Sequence, residues 1–101
     1  MREVVVLAEA VEDIEQARQF YDDQSLGVGD YCVDCLISDI ESLILYHGIH
    51  LKRFGLHRML SERFPFGIYY REMESRTEVV AVLDLRRDPA WLRQELMDRN
   101  C

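Results

Sequence analysis

The sequence predicts an α+β fold in which a strand, two helices, three strands and a final helix follow one another in a single domain of residues 1–101. In the first half of the chain, apolar residues recur every three or four positions, which is the period of an amphipathic helix. In the second half, short β-branched and aromatic runs alternate with polar residues or stay apolar throughout, as strands do. With 101 residues, of which 49% are hydrophobic and 31% charged, the chain is long enough for one domain with its own core.

The first half is predicted to form a strand followed by a helical hairpin. Val4–Leu7 is short and β-branched, which favours a strand. Apolar residues at helical spacing from Ala10 to Tyr21 predict the first helix. A glycine-containing link at residues 25–29 ends this helix, and a second one is predicted from Asp30 to Tyr46. Because the link is short, the two helices should pack antiparallel.

The second half is predicted to form three strands and a last helix. Gly48 ends the second helix, and a loop is expected up to about Gly55. The three strand-like segments that follow are His57–Arg63, Phe66–Glu72 and Thr77–Leu85. Because residues 79–83 are apolar throughout, the last of these strands should be central and covered on both faces. Pro89 is suited to the first turn of a short final helix.

The formal net charge of −7 is unevenly distributed along the chain. Residues 1–47 contain two basic and eleven acidic residues, a balance of −9, whereas residues 48–101 contain ten basic and eight acidic residues, a balance of +2. The acidic half should repel nucleic acid, so only the C-terminal half could present a basic face.

Three further features predict a cytoplasmic protein with no membrane partner. No apolar run exceeds about five residues, whereas a membrane span needs about 20. The N-terminal residues lack the pattern of a secretory signal. Three cysteines, an odd number, are typical of reduced thiols in a cytoplasm. Cys32 and Cys35 form a lone C-x-x-C pair, and Cys32 is predicted to be a small core residue because it lies on the apolar stripe of its helix.

Several segments of the chain, taken in the order in which they occur, resemble the RelE/ParE toxin superfamily, and in particular its plasmid-stabilisation branch. They are Ala10–Tyr21, Gly27–Gly29 with Ile40–Leu43, and Arg58–Tyr70 with Val79–Val82 and Arg86–Trp91. The resemblance covers nearly the whole chain. It implies a curved antiparallel sheet with the N-terminal helical hairpin packed on one face.

The resemblance also implies a function, that of the toxin in a type II toxin–antitoxin pair. Such a toxin inhibits growth when free and is neutralised by a cognate antitoxin protein. Some members of the superfamily poison DNA gyrase, and others cleave messenger RNA on the ribosome without a metal. The expected partners are therefore the antitoxin and either gyrase or the ribosome with its messenger RNA. Fold alone does not separate these targets.

The set of residues that RNA-cleaving members use is incomplete here, which favours a gyrase-directed toxin. By the resemblance, the basic pair of the second strand falls near His57 and Met59, with Arg58 between them, and the arginine of the third strand falls on Phe66. No tyrosine follows Tyr70, so the C-terminal tyrosine is missing as well. A ribosome-dependent endoribonuclease, and a degenerate member that only binds antitoxin, remain the alternatives.

The candidate catalytic residues, should the protein cleave RNA, are Arg87, Arg58 and His57, which would supply cations for the phosphate and an acid or base. The predicted partner-binding residues are Arg86, Ile14, Phe20 and Tyr21, because antitoxins of the superfamily lay a C-terminal segment over the helical hairpin and the sheet. No cofactor and no metal site are predicted, since the histidines lack the spacing of a ligand set.

Overall fold

The computed structural model describes residues 2–100. The elements in chain order are β1 (Glu3–Val6), α1 (Ala8–Gln24), α2 (Val28–Glu41), α3 (Leu43–Tyr46), β2 (Lys52–Arg53), β3 (Leu56–Leu60), β4 (Phe66–Glu72), β5 (Arg76–Asp84) and α4 (Pro89–Arg99). The predicted order of strands and helices is confirmed, with the short elements α3 and β2 inserted between the helical hairpin and the other strands.

The described strands form one mixed sheet in the order β1-β5-β4-β3-β2. Neighbouring strands are antiparallel from β2 to β5, as the resemblance implied. The first strand instead pairs in parallel with β5, with Val4 opposite Thr77 and Val6 opposite Val79. A parallel pair needs a long connection, and here the helical hairpin and the three other strands supply it.

The helical hairpin packs on one face of the sheet and encloses the larger core. Its apolar stripes meet inward-facing side chains of β3, β4 and β5, among them Met59, Ile68, Tyr70, Val79 and Val82. Cys32 lies fully buried on the α2 stripe, so its predicted role as a core residue is confirmed. Gly29 lies in the first turn of α2, where the backbones of α1 and α2 approach each other closely.

The other face of the sheet is covered by α4. Leu92 and Leu96 of this helix pack on Tyr69, Val80 and Leu83. The strand β5 is therefore buried on both faces, as its continuous apolar run predicted. Asp88 accepts a hydrogen bond from the backbone N–H of Ala90 and begins α4, with Pro89 in its first turn as predicted.

The second helix is shorter than predicted because it is interrupted at Ser42. The hydroxyl of Ser42 donates to the backbone carbonyl of Asp39 at 2.6 Å, which competes with the regular helical hydrogen bonds. A separate single turn, α3, then runs to Tyr46.

The expected loop before the second predicted strand instead contains a tight hairpin. Lys52 pairs with His57 and Arg53 with Leu56, which leaves Phe54 and Gly55 as the two turn residues. Both have positive φ, 55° and 83°, as a type I′ turn requires. The usual sequence signal for this turn is Asn-Gly or Asp-Gly, so Phe-Gly did not indicate it.

The strand β3 ends at Leu60, three residues earlier than predicted. The segment that follows folds back through a tight turn in which the N–H of Phe66 donates to the carbonyl of Phe64 at 2.8 Å. The hydroxyl of Ser61 also donates to Asp39 at 2.7 Å and ties this loop to α2. Arg63 therefore lies in a loop and not on a sheet face.

Candidate functional site

A groove runs along the outer edge of β5, between α1 and α4. Because β1 ends at Val6, opposite Val79, the remainder of β5 has no strand neighbour on this side among residues 2–100. The groove has a volume of about 630 Å³ and is lined by Glu9, Glu12, Phe20, Val82, Trp91 and Glu95, among others. We call it the α1–α4 groove.

An ion pair at the base of this groove satisfies the open strand edge. The carboxylate of Asp13 accepts two hydrogen bonds from the guanidinium of Arg99, at 2.5 and 2.9 Å. The same carboxylate accepts the N–H of Val82 at 2.9 Å, and Arg99 donates to the carbonyl of Val80 at 3.2 Å. The hydrogen bonds that Arg99 donates to Asp13 raise the pKa of Arg99 well above its ordinary value, although burial acts in the opposite direction. The pair thus takes the place of a neighbouring strand.

Sequence reasoning missed this ion pair, although a signal was present. Asp13 stands three residues after Ala10 and four before Ala17, on the buried stripe of α1. A carboxylate on an apolar stripe needs a buried partner, because an unpaired buried charge is costly. Its partner Arg99 lies 86 positions away, so spacing along the chain could not identify it.

The lining of the α1–α4 groove, from its base to its rim, is acidic. Five carboxylates and two guanidinium groups line the groove, a balance of −3, and they belong to Glu9, Glu12, Asp13, Asp84, Glu95, Arg87 and Arg99. The predicted catalytic residue Arg87 is one of the two cations. Its guanidinium lies 3.5 Å from the centre of the Trp91 ring, a cation–π contact that holds it against α4.

Three of the four predicted partner-binding residues lie together, and one of them, Phe20, lines the groove. The rings of Phe20 and Tyr21 meet edge to face, with 5.1 Å between the ring centres, and Phe20 is 49% exposed. Arg86 donates to the Tyr21 hydroxyl at 3.5 Å and binds Asp84 at 2.7 Å. Burial is the main reason that the pKa of Tyr21 is raised.

Ile14 does not join this group. Its side chain is 8% exposed and packs inside the core between the hairpin and the sheet. The helical period placed Ile14 on an apolar face, and that face meets the sheet and not the solvent. Ile14 is therefore not part of the accessible surface, and its partner-binding role stays a prediction.

The three candidate catalytic residues are not brought together. His57 and Arg58 are neighbours on β3 and point to opposite faces of the sheet. The ring of His57 stacks on the ring of Tyr70, with 5.0 Å between the ring centres, whereas Arg58 contacts the hydroxyl of Tyr69. Arg87 lies in the α1–α4 groove, on the far side of β4 and β5. Their catalytic role stays a prediction, with no shared site to support it.

His57 is held by a small network of polar groups. Its Nδ1 lies 2.6 Å from the backbone carbonyl oxygen of His50, which can only accept, so this nitrogen donates. The Tyr70 hydroxyl lies 2.5 Å from Nδ1 of His50 and accepts the N–H of Gly48 at 3.0 Å. Burial, and secondarily the nearby His57, lowers the pKa of His50. These groups fix the loop after α3 against the sheet.

Within residues 2–100, no three histidine, cysteine or carboxylate side chains cluster in a way that could hold a metal ion. Cys32 and Cys35 are both free thiols, and Cys101 lies outside the described residues. Burial, followed by the neighbouring Cys35, raises the pKa of the Cys32 thiol to about 11.

Cys32 is expected to resist alkylation in the folded protein, because a pKa of about 11 leaves little reactive thiolate. At about pH 8 only about one thiol in a thousand would be ionised. Cys35 is partly exposed and should react first. Iodoacetamide labelling followed by peptide mass spectrometry measures both rates, and denaturation in urea should make them equal. Equal rates in the folded protein would contradict the burial of Cys32.

No helix among residues 2–100 combines the length and the apolar character needed to cross a membrane.

No protein-family model matches the chain. No curated protein matches it either. A chain in the solved structure of the chromosomal ParDE TA (toxin–antitoxin) system from P. aeruginosa is similar to it, with a TM-score of 0.72 and 15% sequence identity over 81% of this chain and 94% of that chain. This likeness establishes the fold, so the RelE/ParE-like architecture implied by the sequence is confirmed.

Proposed function

We propose that this protein, a single RelE/ParE-like domain acting in the cytoplasm, is the toxin of a type II toxin–antitoxin pair. It would inhibit growth when free and be silenced by a cognate antitoxin. The observation that carries the proposal is the α1–α4 groove, an apolar and acid-rimmed cleft on a fold shared with a chain of the ParDE TA system. A groove of this kind suits an amphipathic segment of another protein.

The antitoxin segment is proposed to be rich in lysine and arginine. Glu12 is exposed at the rim, and Glu9 is mostly exposed and only loosely paired with Arg99 at 3.6 Å. Cations of a partner would complement these carboxylates, while its apolar side chains would cover Phe20. The adjacent reading frame should therefore encode a basic, amphipathic segment, and a strongly acidic one would contradict the proposal.

We propose gyrase as the target in preference to messenger RNA. RNA cleavage without a metal needs a base and several cations around one phosphate. Arg58, His57 and Arg87 lie at separate places on the sheet and groove. Phe66 stands at the position where the resemblance implies an arginine in RNA-cleaving members. Its side chain is 6% exposed and belongs to the core. A gyrase-directed inhibitor needs no such cluster, which is what supports this choice.

Expression of the gene alone, and together with its neighbour, tests the proposal. We expect growth to stop in the first case and to recover in the second. An SOS response with trapped gyrase would support the gyrase target. Transcript cleavage that an Arg87→Ala substitution abolishes would instead identify an endoribonuclease. Unaffected growth would identify a degenerate member that only binds antitoxin.

Reversing one charge at the groove rim should weaken antitoxin binding. We expect Glu12→Lys to raise the Kd for the neighbour's product about tenfold and to reduce its dependence on salt, because a rim carboxylate is replaced by a cation. Isothermal titration calorimetry with the full chain measures both quantities.

Glu41→Lys is the matched control, since Glu41 is exposed at the end of α2 and changes the net charge by the same amount. It does not line the groove. An equal loss of affinity in the two variants would show that only net charge matters and would remove the groove from the proposed interface.

A further inference from the structure

The segment from Ser42 to Ser61 contains no acidic residue, although the chain as a whole carries a net charge of −7. It contains Lys52, Arg53 and Arg58, and several of its apolar side chains are turned to solvent. Leu51 is 86% exposed and Ile49 is 69% exposed. Exposed apolar side chains that form a contiguous patch mark interaction surfaces.

A cavity of about 410 Å³ lies at this place, beside the free edge of the sheet. Its lining is His50, Leu51, Arg53, Arg58, Met59 and Leu60, with no carboxylate among them. We call this surface the basic edge. The two guanidinium groups can bind a carboxylate, and Leu51, Met59 and Leu60 can contact apolar side chains beside it. The basic edge is therefore suited to a carboxylate flanked by apolar side chains.

The backbone at the basic edge is open to another strand. The short strand β2 pairs with Leu56 and His57, and Leu51 just before β2 extends this pairing to Arg58, so the open part of the edge is at Leu60, the last residue of β3. The N–H of Arg58 faces this edge and donates to the carbonyl of Leu51 at 3.0 Å. Leu60, two residues on, presents its N–H to the same edge, because strand backbone groups alternate in direction. An edge of this kind is a template for strand addition.

The exposed side chains are held in place by the rest of the fold. The contacts of His50 with Tyr70 and His57 anchor the loop before β2. The side chain of Asn100 donates to the carbonyl of Phe54 at 3.3 Å and fixes the tip of the hairpin. A preformed surface loses less conformational entropy on binding than a mobile loop does.

The cations at the basic edge have no acidic partner among the described residues, a property that they share with Arg63, Arg87 and Arg93. Within residues 2–100, no ion pair engages Lys52, Arg53 or Arg58. The arginines that do pair with carboxylates are Arg2, Arg18, Arg71, Arg76, Arg86 and Arg99.

We propose that the basic edge binds an extended acidic segment of a second protein partner, in which acidic and apolar residues alternate. The segment would add to the free edge of β3, with a carboxylate between Arg53 and Arg58 and apolar side chains on Leu51 and Leu60. This partner differs in charge from the one proposed for the α1–α4 groove, which is expected to be basic. The two surfaces can therefore be occupied by different segments at the same time.

Two other occupants fit the basic edge less well. A second copy paired through β2 would set Lys52 and Arg53 against the same residues of its partner, and like charges across a strand pair are destabilising. Nucleic acid prefers a polar and strongly positive surface, whereas the edge carries exposed leucine and isoleucine on a protein of net charge −7.

A short, fluorescein-labelled peptide that alternates glutamate and leucine is the probe, and its lysine–leucine counterpart is the control. We expect the acidic peptide alone to bind the full chain, with NMR amide shifts confined to residues 49–60. Arg53→Glu should weaken this binding about tenfold or more, because attraction becomes repulsion. Leu51→Ser should also weaken it, with less effect on its salt dependence.

Arg63→Glu is the matched variant, since Arg63 is an exposed loop arginine outside the cavity and changes the net charge equally. It should retain binding. Absence of binding, shifts located in the α1–α4 groove, or equal losses in both arginine variants would overturn the proposal. Tighter binding of an oligouridine probe at the same residues would reassign the surface to RNA, and a dimer whose concentration-dependent amide shifts lie at the same residues would reassign it to a second copy.

Discussion

Replacing Asp13 with alanine is expected to lower the free energy of unfolding by about 3–5 kcal/mol, because one partner of a buried ion pair is lost. Arg99, with a side chain only 9% exposed, would keep its charge without the carboxylate that binds it. The N–H of Val82 would lose its acceptor at the same time. The destabilisation should appear as a fall in Tm of more than about 10 °C.

Urea denaturation of Asp13→Ala and of Glu15→Ala checks this expectation. Glu15 belongs to the same helix and also binds an arginine, Arg18, but that pair is exposed, so its loss should not measurably change stability. Adding Arg99→Met to Asp13→Ala should restore part of the loss, since no uncompensated charge then remains. Similar effects of the two alanine substitutions would show that the Asp13–Arg99 pair does not stabilise the open edge of β5.

Replacing Gly29 with alanine is expected to cost about 3 kcal/mol of stability, the upper part of the range for overpacking a tight contact. A Cβ atom at this position would lie 2.2 Å from the carbonyl oxygen of Arg18, a backbone atom of α1. It would also lie 2.8 Å from the Asp22 carboxylate, which accepts the N–H groups of Gly27 and Gly29. The two helices would have to move apart to admit the methyl group.

Gly27→Ala provides the comparison, because its Cβ would meet no atom within 4 Å. Gly27 has a φ of 92°, so alanine there should cost about 1 kcal/mol through backbone strain alone. Thermal and urea unfolding of the two variants separate close packing from strain. If Gly27→Ala proved the more costly change, the helix crossing at Gly29 would not be as tight as the structure has it.

Local pattern was sufficient for most of the fold. The bounds of β4, Phe66–Glu72, coincide with the prediction, since the alternation of residue types there has the period of a strand. Pro89 begins α4 as predicted, because proline fits the first turn of a helix. The interruption at Ser42 and the Phe54-Gly55 turn were not predictable, since the first depends on a side-chain hydrogen bond and the second on a rare turn residue.

The candidate sites were less predictable than the fold. Phe20, Tyr21 and Arg86 were selected along the chain and do lie together, because the end of α1 packs beside the end of β5. Ile14 was selected by the same helical period but faces the core. A helical period identifies an apolar face without saying whether the sheet or a partner will cover it.

By itself, the sequence determined the order of the strands and helices, the double burial of β5 and the acidic character of the first half. These features follow from periodicity and charge, which act over a few neighbouring residues. Only the tertiary structure decided that β1 pairs in parallel with β5, that the Asp13–Arg99 pair seals the remaining edge, and that Arg58 lies beside a free basic edge with Arg53. Each of these features depends on contacts between residues far apart in the chain or on strand register. Local spacing contains no information about either.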